Sequence, residues 1–211
     1  MQELHQPSPQ TKAPPEGPSC LSGCWDAASS CITDAEMRHT FHTEQFLPHP
    51  IELVFAFFAN PENLPMLMPG WQKARIEEAL FAPPPPRPEG TPHFRAIAAG
   101  AGTKMTISFR PFPFSPLRVP WDAEITEFAW NDHFCDIQTR GPFKYWRHCH
   151  SLRAEEHDGI PGTVVRDEVE YELPLGTLGE LAHKLAGARQ IRSIFAFRQK
   201  RTGEFLARVV P

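Results

Sequence analysis

Two carboxylates and two imidazoles recur at alternate positions of three neighbouring runs. In FCDIQTR, Asp136 and Gln138 alternate in line with Phe134; in YWRHCHSL, His148 and His150 share their alternation with Trp146 and Leu152. The run VVRDEVEYEL puts Asp167 in line with Val165, Val169, Tyr171 and Leu173. Strand side chains two residues apart share a face, so each run presents an apolar face interrupted by groups able to do chemistry. Imidazole titrates near neutrality. His148 or His150, oriented by Asp136 or Asp167, is therefore a candidate general base. The same groups carry two further readings. Carboxylates and imidazoles can satisfy one another inside a sheet and fix its register, because a buried polar group costs free energy unless hydrogen-bonded. A mainly apolar pocket with a few converging polar groups is also the usual small-molecule site. On that reading the ligand-binding candidates are Phe134, Asp136, Gln138, Trp146, His148, His150, Asp167 and Tyr171. Nothing separates a catalytic His–Asp pair from a structural one, so the catalytic residues stay unassigned among these candidates. His-x-His beside a carboxylate is a weaker metal option. Hydrogen bonding between strands is the plainer use of the pair, and neither metal nor cofactor is expected. Trp146 and Tyr171 are equally suited to stacking on a flat ligand and to ordinary core packing.

A sheet is needed to hold these groups. Phe134–Leu152 reads as two strands joined by a tight turn at Gly141-Pro142, with Cys135 and Cys149 on the facing strands. Alternation also predicts strands over Thr40–Phe46, Lys73–Phe81, Ala101–Arg110, Val119–Phe128 and Thr163–Leu173. Met105, Ile107 and Phe109 share one face, as do Trp121, Ala123 and Ile125. After Pro50, the spacing of Ile51, Val54, Phe55 and Phe58 predicts a helix. Asn60-Pro61 ends it and opens a short second helix to about Met68, and Pro69-Gly70 then breaks the chain. Four consecutive prolines from Pro83 begin a stiff surface loop. Phe112, Phe114 and Leu117 form either an exposed apolar lip or part of the core. Pro174 and Gly176 end the last strand. A long helix follows over about Leu178–Val209, its apolar face made by Leu181, Leu185, Ala188, Ile191, Phe195 and Arg198, with Gly187 as a point of bending. An antiparallel sheet with one apolar face needs a cover, and this helix is the candidate. Its basic residues Arg189, Arg192, Arg198, Lys200, Arg201 and Arg208 fit either transient contact with an anionic membrane or a solvated helix face.

Composition bounds the rest. Of 211 residues, 41% are hydrophobic and 22% charged, proportions of a globular chain. A net charge of −4 gives no reason to expect nucleic-acid binding. No apolar run is long enough to span a membrane, and no secretory signal pattern is present. A cytoplasmic protein is expected, with the five cysteines, Cys20, Cys24, Cys31, Cys135 and Cys149, as free thiols. For Cys135 and Cys149, buried thiols are preferred to a disulfide. Cys20 and Cys24 lack a second ligand pair at zinc-finger spacing. Residues 1–36 are rich in Pro, Ser, Gly and Ala without apolar periodicity and read as a disordered leader. The folded domain is expected over 37–211, with Met37 as a candidate translation start.

Taken in order, the motifs Phe134-x-Asp136-x-Gln138, Gly141-Pro142-Phe143, Trp146-x-His148-x-His150 and Asp167-x-Val169-x-Tyr171-x-Leu173-Pro174, followed by Gly176, resemble those of the START-like (SRPBCC) superfamily. The likeness is greatest to bacterial proteins of the cyclase/dehydrase type and covers about Met37–Val209. It implies an α+β helix-grip fold (START/Bet v 1-like). In that fold a curved antiparallel sheet wraps around a long C-terminal helix, with two short helices near the N-terminus, enclosing a hydrophobic cavity. The favoured function is binding or carriage of a small-to-medium hydrophobic ligand of lipid, polyketide or aromatic type, its polar end facing the Asp/His row. The enzyme alternative is a polyketide cyclase or dehydratase using His general acid–base chemistry at a carbon acid. A non-enzymatic partner-binding module is the third class, and an interior filled by side chains would favour it. Ligand identity and oligomeric state are not legible.

Overall fold

Alternation in sequence becomes seven strands: β1 (His39–Leu47), β2 (Arg75–Leu80), β3 (Lys104–Phe109), β4 (Val119–Ala129), β5 (His133–Arg140), β6 (Tyr145–His157) and β7 (Ile160–Glu172). They form one sheet in the order β1-β7-β6-β5-β4-β3-β2, with every pair antiparallel. This is a computed structural model, and it describes residues 38–90 and 97–209. The expected leader over 1–36, the translation start at Met37, Cys20, Cys24 and Cys31 lie outside the described residues. Consecutive strands from β2 to β7 pair with their neighbours, and β1 closes onto β7 with His39 opposite Tyr171 and Leu47 opposite Thr163.

Helix α1 (Ile51–Ala59) starts at Pro50, whose fixed φ and missing N–H suit a helix start. It buries Leu53, Val54, Phe55, Ala56 and Ala59. The expected second helix is a 3₁₀ segment, Pro61–Leu67. Its first turn is capped by Asn60, whose Oδ1 accepts from the Glu62 N–H at 3.1 Å. A short 3₁₀ turn at Gly70–Gln72 leads, through a left-handed Lys73, into β2.

The C-terminal helical region has three parts: α2 (Gly176–Ala182), a π turn at His183–Gly187, and α3 (Ala188–Val209). The bend expected at Gly187 is thus a π turn ending there. A π turn inserts one extra residue and rotates the following helix by roughly 100° relative to an unbroken α-helix. This rotation separates residues that a single uninterrupted face would align. Ile191 and Phe195 are buried, whereas Leu181 is 53% exposed and is not part of the inward face. Leu185's side chain lies outside the described residues.

The apolar interior has two parts. One joins α1 to the sheet and the far end of α3 through Val54, Phe55, Phe134, Leu152, Val165 and Leu206. The other joins the start of α3 to β7 through Ile191, Phe195, Val169 and Tyr171, with Phe41, Phe143 and Trp146 packed against it. The long helix therefore covers the sheet's inner face, as the helix-grip architecture requires. The outer face is charged and laced by pairs such as Arg147–Glu127 at 2.8 Å and Arg140–Asp122 at 2.7 Å.

One expectation is overturned on that outer face. Cys135 and Cys149 are direct cross-strand partners, with Cα atoms 4.1 Å apart and the sulfurs bonded as a disulfide. Free thiols were expected because strand order and turn position do not reveal pairing register. The register itself puts the two Cβ atoms side by side.

Candidate functional site

A cavity of about 500 Å³ lies between the inner face of the sheet and α3. The inward faces read from alternation line it: Met105, Ile107 and Phe109 from β3, Trp121, Ala123 and Ile125 from β4, and Ile191 and Phe195 from α3. Near its rim Phe112 both lines the cavity and is largely exposed, and Phe114 is 97% exposed. Leu117 is exposed as well. Of the two readings of this segment, the structure places it as the exposed lip. Gln190 of α3 donates to the Pro111 carbonyl beside it at 3.4 Å.

Polar groups concentrate in one part of this apolar interior. Register sets Asp136 of β5 opposite His148 of β6, and His150 opposite Asp167 of β7. His148, His150 and Asp167 are all buried. His148 Nε2 is hydrogen-bonded to Asp167 Oδ1 at 3.0 Å, and its Nδ1 lies 3.7 Å from Asp136 Oδ1. His150 Nδ1 lies 2.8 Å from the same Asp167 oxygen, but out of line with the ring, so it gains electrostatic contact without a hydrogen bond. Its Nε2 is 3.1 Å from Nη2 of Arg198, one turn beyond Phe195 on α3. Since guanidinium only donates, that nitrogen of His150 is the acceptor and Nδ1 carries the proton.

Burial shapes the ionisation of the cluster. It pushes the Asp136 carboxyl above its usual range, against the opposing pull of His148 and Arg198. The exposed 23% of the Asp136 side chain is consistent with its place in the cavity wall. Burial, with His148 and Arg198 adding to it, drives His150 down to about 3, so it is neutral near pH 7. For Asp167, burial opposes ionisation, but the facing imidazoles of His150 and His148 more than offset it and hold the carboxyl well below its ordinary range.

The candidate residues divide accordingly. Phe134, Asp136, Trp146, His148, His150 and Tyr171 line the cavity. Asp167 sits behind the two imidazoles and orients them. Gln138 is not brought to the cavity wall. Its Nε2 donates to the Phe143 carbonyl at 2.7 Å and its Oε1 accepts from the Phe143 N–H at 3.3 Å, which ties the Gly-Pro turn. A Cβ on Gly141 would collide with this carboxamide, which explains the glycine. Tyr171 packs in the core and its hydroxyl meets His183 Nε2 at 2.7 Å.

Sequence reasoning gave Arg198 no role in the site. The available signal was a cation in line with the apolar positions Ile191 and Phe195, whereas Arg189, Arg192, Lys200 and Arg208 are exposed. Gln72, 3% exposed, was also missed; it lines the cavity and its Oε1 has no hydrogen-bond partner among the described residues.

His148, His150 and Asp167 also bring their ligand atoms within 4.8 Å of one another, a donor set suited to zinc. The guanidinium beside His150 puts a fixed positive charge against that position and opposes a cation there. Among the described residues, no helix is long and apolar enough to cross a membrane.

Comparison with known proteins agrees with the architecture. The family model described as polyketide cyclase/dehydrase and lipid transport matches residues 47–194. No protein in the curated collection matches the chain. Among solved structures, norcoclaurine synthase from Thalictrum flavum is similar with a TM-score of 0.53 and 12% identity, over 88% of this chain and 99% of that one. Protein CV1439 from Chromobacterium violaceum is similar with a TM-score of 0.53 and 14% identity, over 79% and 96% of the two chains. Protein TTHA0849 from Thermus thermophilus is similar with a TM-score of 0.51 and 17% identity, over 78% and 97%. At these identities the likeness is one of fold.

Proposed function

Because the chain belongs to the polyketide cyclase/dehydrase and lipid transport family, we propose that it binds and carries a small-to-medium hydrophobic ligand of lipid, polyketide or aromatic type. The observation that carries this reading is the open, predominantly apolar interior of about 500 Å³, with its ionisable groups gathered at the Asp136–His148–His150–Arg198 cluster. Such a volume falls within the range of small-molecule sites, roughly 300–1,000 Å³. The ligand's body would lie along Met105, Ile107, Trp121 and Phe195, and its polar end would face the cluster. An interior of this kind also speaks against a module that acts only through its outer surface.

A cyclase or dehydratase is the second reading, favoured by one observation. Asp136 reaches the cavity with its carboxyl pushed toward the neutral form, 3.7 Å from the His148 ring. That pair could hold and return a proton at a carbon acid. Asp136→Asn would then abolish turnover and leave binding intact.

The test of the primary reading is native mass spectrometry of protein purified from its own host, followed by denaturing extraction. A released hydrophobic molecule is the expected result. An apo protein that also fails to take up any neutral hydrophobic probe would overturn carriage.

A further inference from the structure

We propose that Arg198 makes the polar end of the cavity an anion subsite, so that the protein selects hydrophobic monocarboxylates over neutral molecules of the same length. The inference rests on the ligand-binding reading above and names the chemical class of ligand.

A guanidinium carries five N–H donors and keeps its charge at any ordinary pH. Arg198 lines the cavity, yet among the described residues it makes one side-chain hydrogen bond, from Nη2 to His150 Nε2 at 3.1 Å, and no ion pair. Its Nε is buried without a hydrogen-bond partner among the described residues. The surroundings increase the imbalance. The rings of Phe58 and Phe195 each lie 5.9 Å from the guanidinium carbon and offer no acceptor oxygen. The carboxylate of Asp167 is taken by the two imidazoles and reaches Arg198 only through His150. Asp136 is the other nearby acid, and burial pushes it toward its neutral form. Buried donors left unmatched in a weakly polar interior are costly. A ligand carboxylate would supply both the acceptor oxygens and the counter-charge, in the planar geometry that suits a guanidinium. A ketone or ester carbonyl would supply an acceptor without the charge.

The test is displacement of the neutral fluorophore N-phenyl-1-naphthylamine from the full chain by dodecanoic acid and by methyl dodecanoate at pH 7.5. The ester keeps chain and carbonyl but lacks the charge. The expected result is that the acid binds about ten- to a hundred-fold more tightly than the ester, the range of a charge-assisted hydrogen bond. In Arg198→Gln, which keeps a neutral donor for His150, the preference for acid over ester should collapse to about one. Equal affinity of acid and ester for the wild-type protein would overturn the anion subsite and leave the hydrophobic cavity standing. Failure of the fluorophore and both competitors to bind would overturn the cavity reading and this inference with it. The wild-type ratio decides the matter even if Arg198→Gln does not fold.

Discussion

Asp167→Ala tests whether the buried cluster holds the sheet together. The carboxylate is 4% exposed and faces two imidazoles. Removing it leaves His148 Nε2 without its 3.0 Å hydrogen bond and His150 Nδ1 without its 2.8 Å electrostatic contact. Each buried donor stranded in this way costs about 1–3 kcal/mol. Part of that is offset, because the variant no longer desolvates a carboxylate. A net loss of about 3 kcal/mol is expected, which for a domain of this size lowers Tm by roughly 6–12 °C. The assay is urea denaturation and thermal unfolding at pH 7, followed by circular dichroism. Asp167→Asn, which keeps an acceptor oxygen, should lose less. The acid limb adds a sign. The folded Asp167 carboxyl lies well below its ordinary 3.8, so its contribution is present above the unfolded value and is lost as pH falls through the folded one. The gap between wild type and Asp167→Ala should therefore be full at pH 7 and close in strong acid. A variant within about 0.5 kcal/mol of wild type at pH 7, the ordinary scatter of surface substitutions, would refute the network.

Three further outcomes are expected. Because His150 is depressed from 6.5 to about 3 in the folded state, the unfolded chain takes up its proton first, and stability should fall as pH drops from 6.5 toward 3; urea midpoints of His150→Phe should show a shallower slope between pH 7 and 4, and an unchanged slope would contradict its buried neutral state. The Cys135–Cys149 disulfide spans a separation of 14 residues, for which loop entropy gives about 3 kcal/mol; the Cys135→Ser/Cys149→Ser double variant should unfold at lower urea, and alkylation of both thiols in native, unreduced protein would show that the bond is absent. Ala123→Phe projects a ring into the cavity from β4 and should abolish uptake of N-phenyl-1-naphthylamine with Tm nearly unchanged, whereas undiminished uptake would place the ligand elsewhere.

Much of the fold was legible because strand periodicity is local. The inward runs Met105–Ile107–Phe109 and Trp121–Ala123–Ile125 line the cavity as their spacing predicts, and the motifs from Phe134 to Gly176 carried the family resemblance. What was not legible depends on how elements meet. Arg198 reaches His150 across 48 residues of sequence; its spacing put it on the inward face of the helix, but not against a particular strand residue, and the bend at Gly187 did not reveal that a π turn would rotate what precedes it. Leu181 falls off the inward face for the same reason. Gln138 alternates correctly with Asp136, yet it lies near the end of β5, where the turn's Phe143 backbone captures its side chain. Alternation assigns a face and cannot say whether a side chain at the strand's end points into the interior or folds back on its own hairpin. The cysteine pair depended on the β5–β6 register, which places Cys135 directly opposite Cys149.

The disulfide on the outer surface has a bearing on how the interior could be changed. A slip of one residue between β5 and β6 would turn either Asp136 or the pair His148 and His150 outward, according to which strand moved. Cys135 and Cys149 are chain neighbours of those three residues and bind the strands covalently at the one alignment that keeps them inside. Alignment is thus held from the back of the hairpin, independently of the groups on its front. A library that varies Asp136, His148 and Trp146 to accept new ligands would start from a hairpin already pinned, and the scaffold lends itself to redesign of its binding specificity from within.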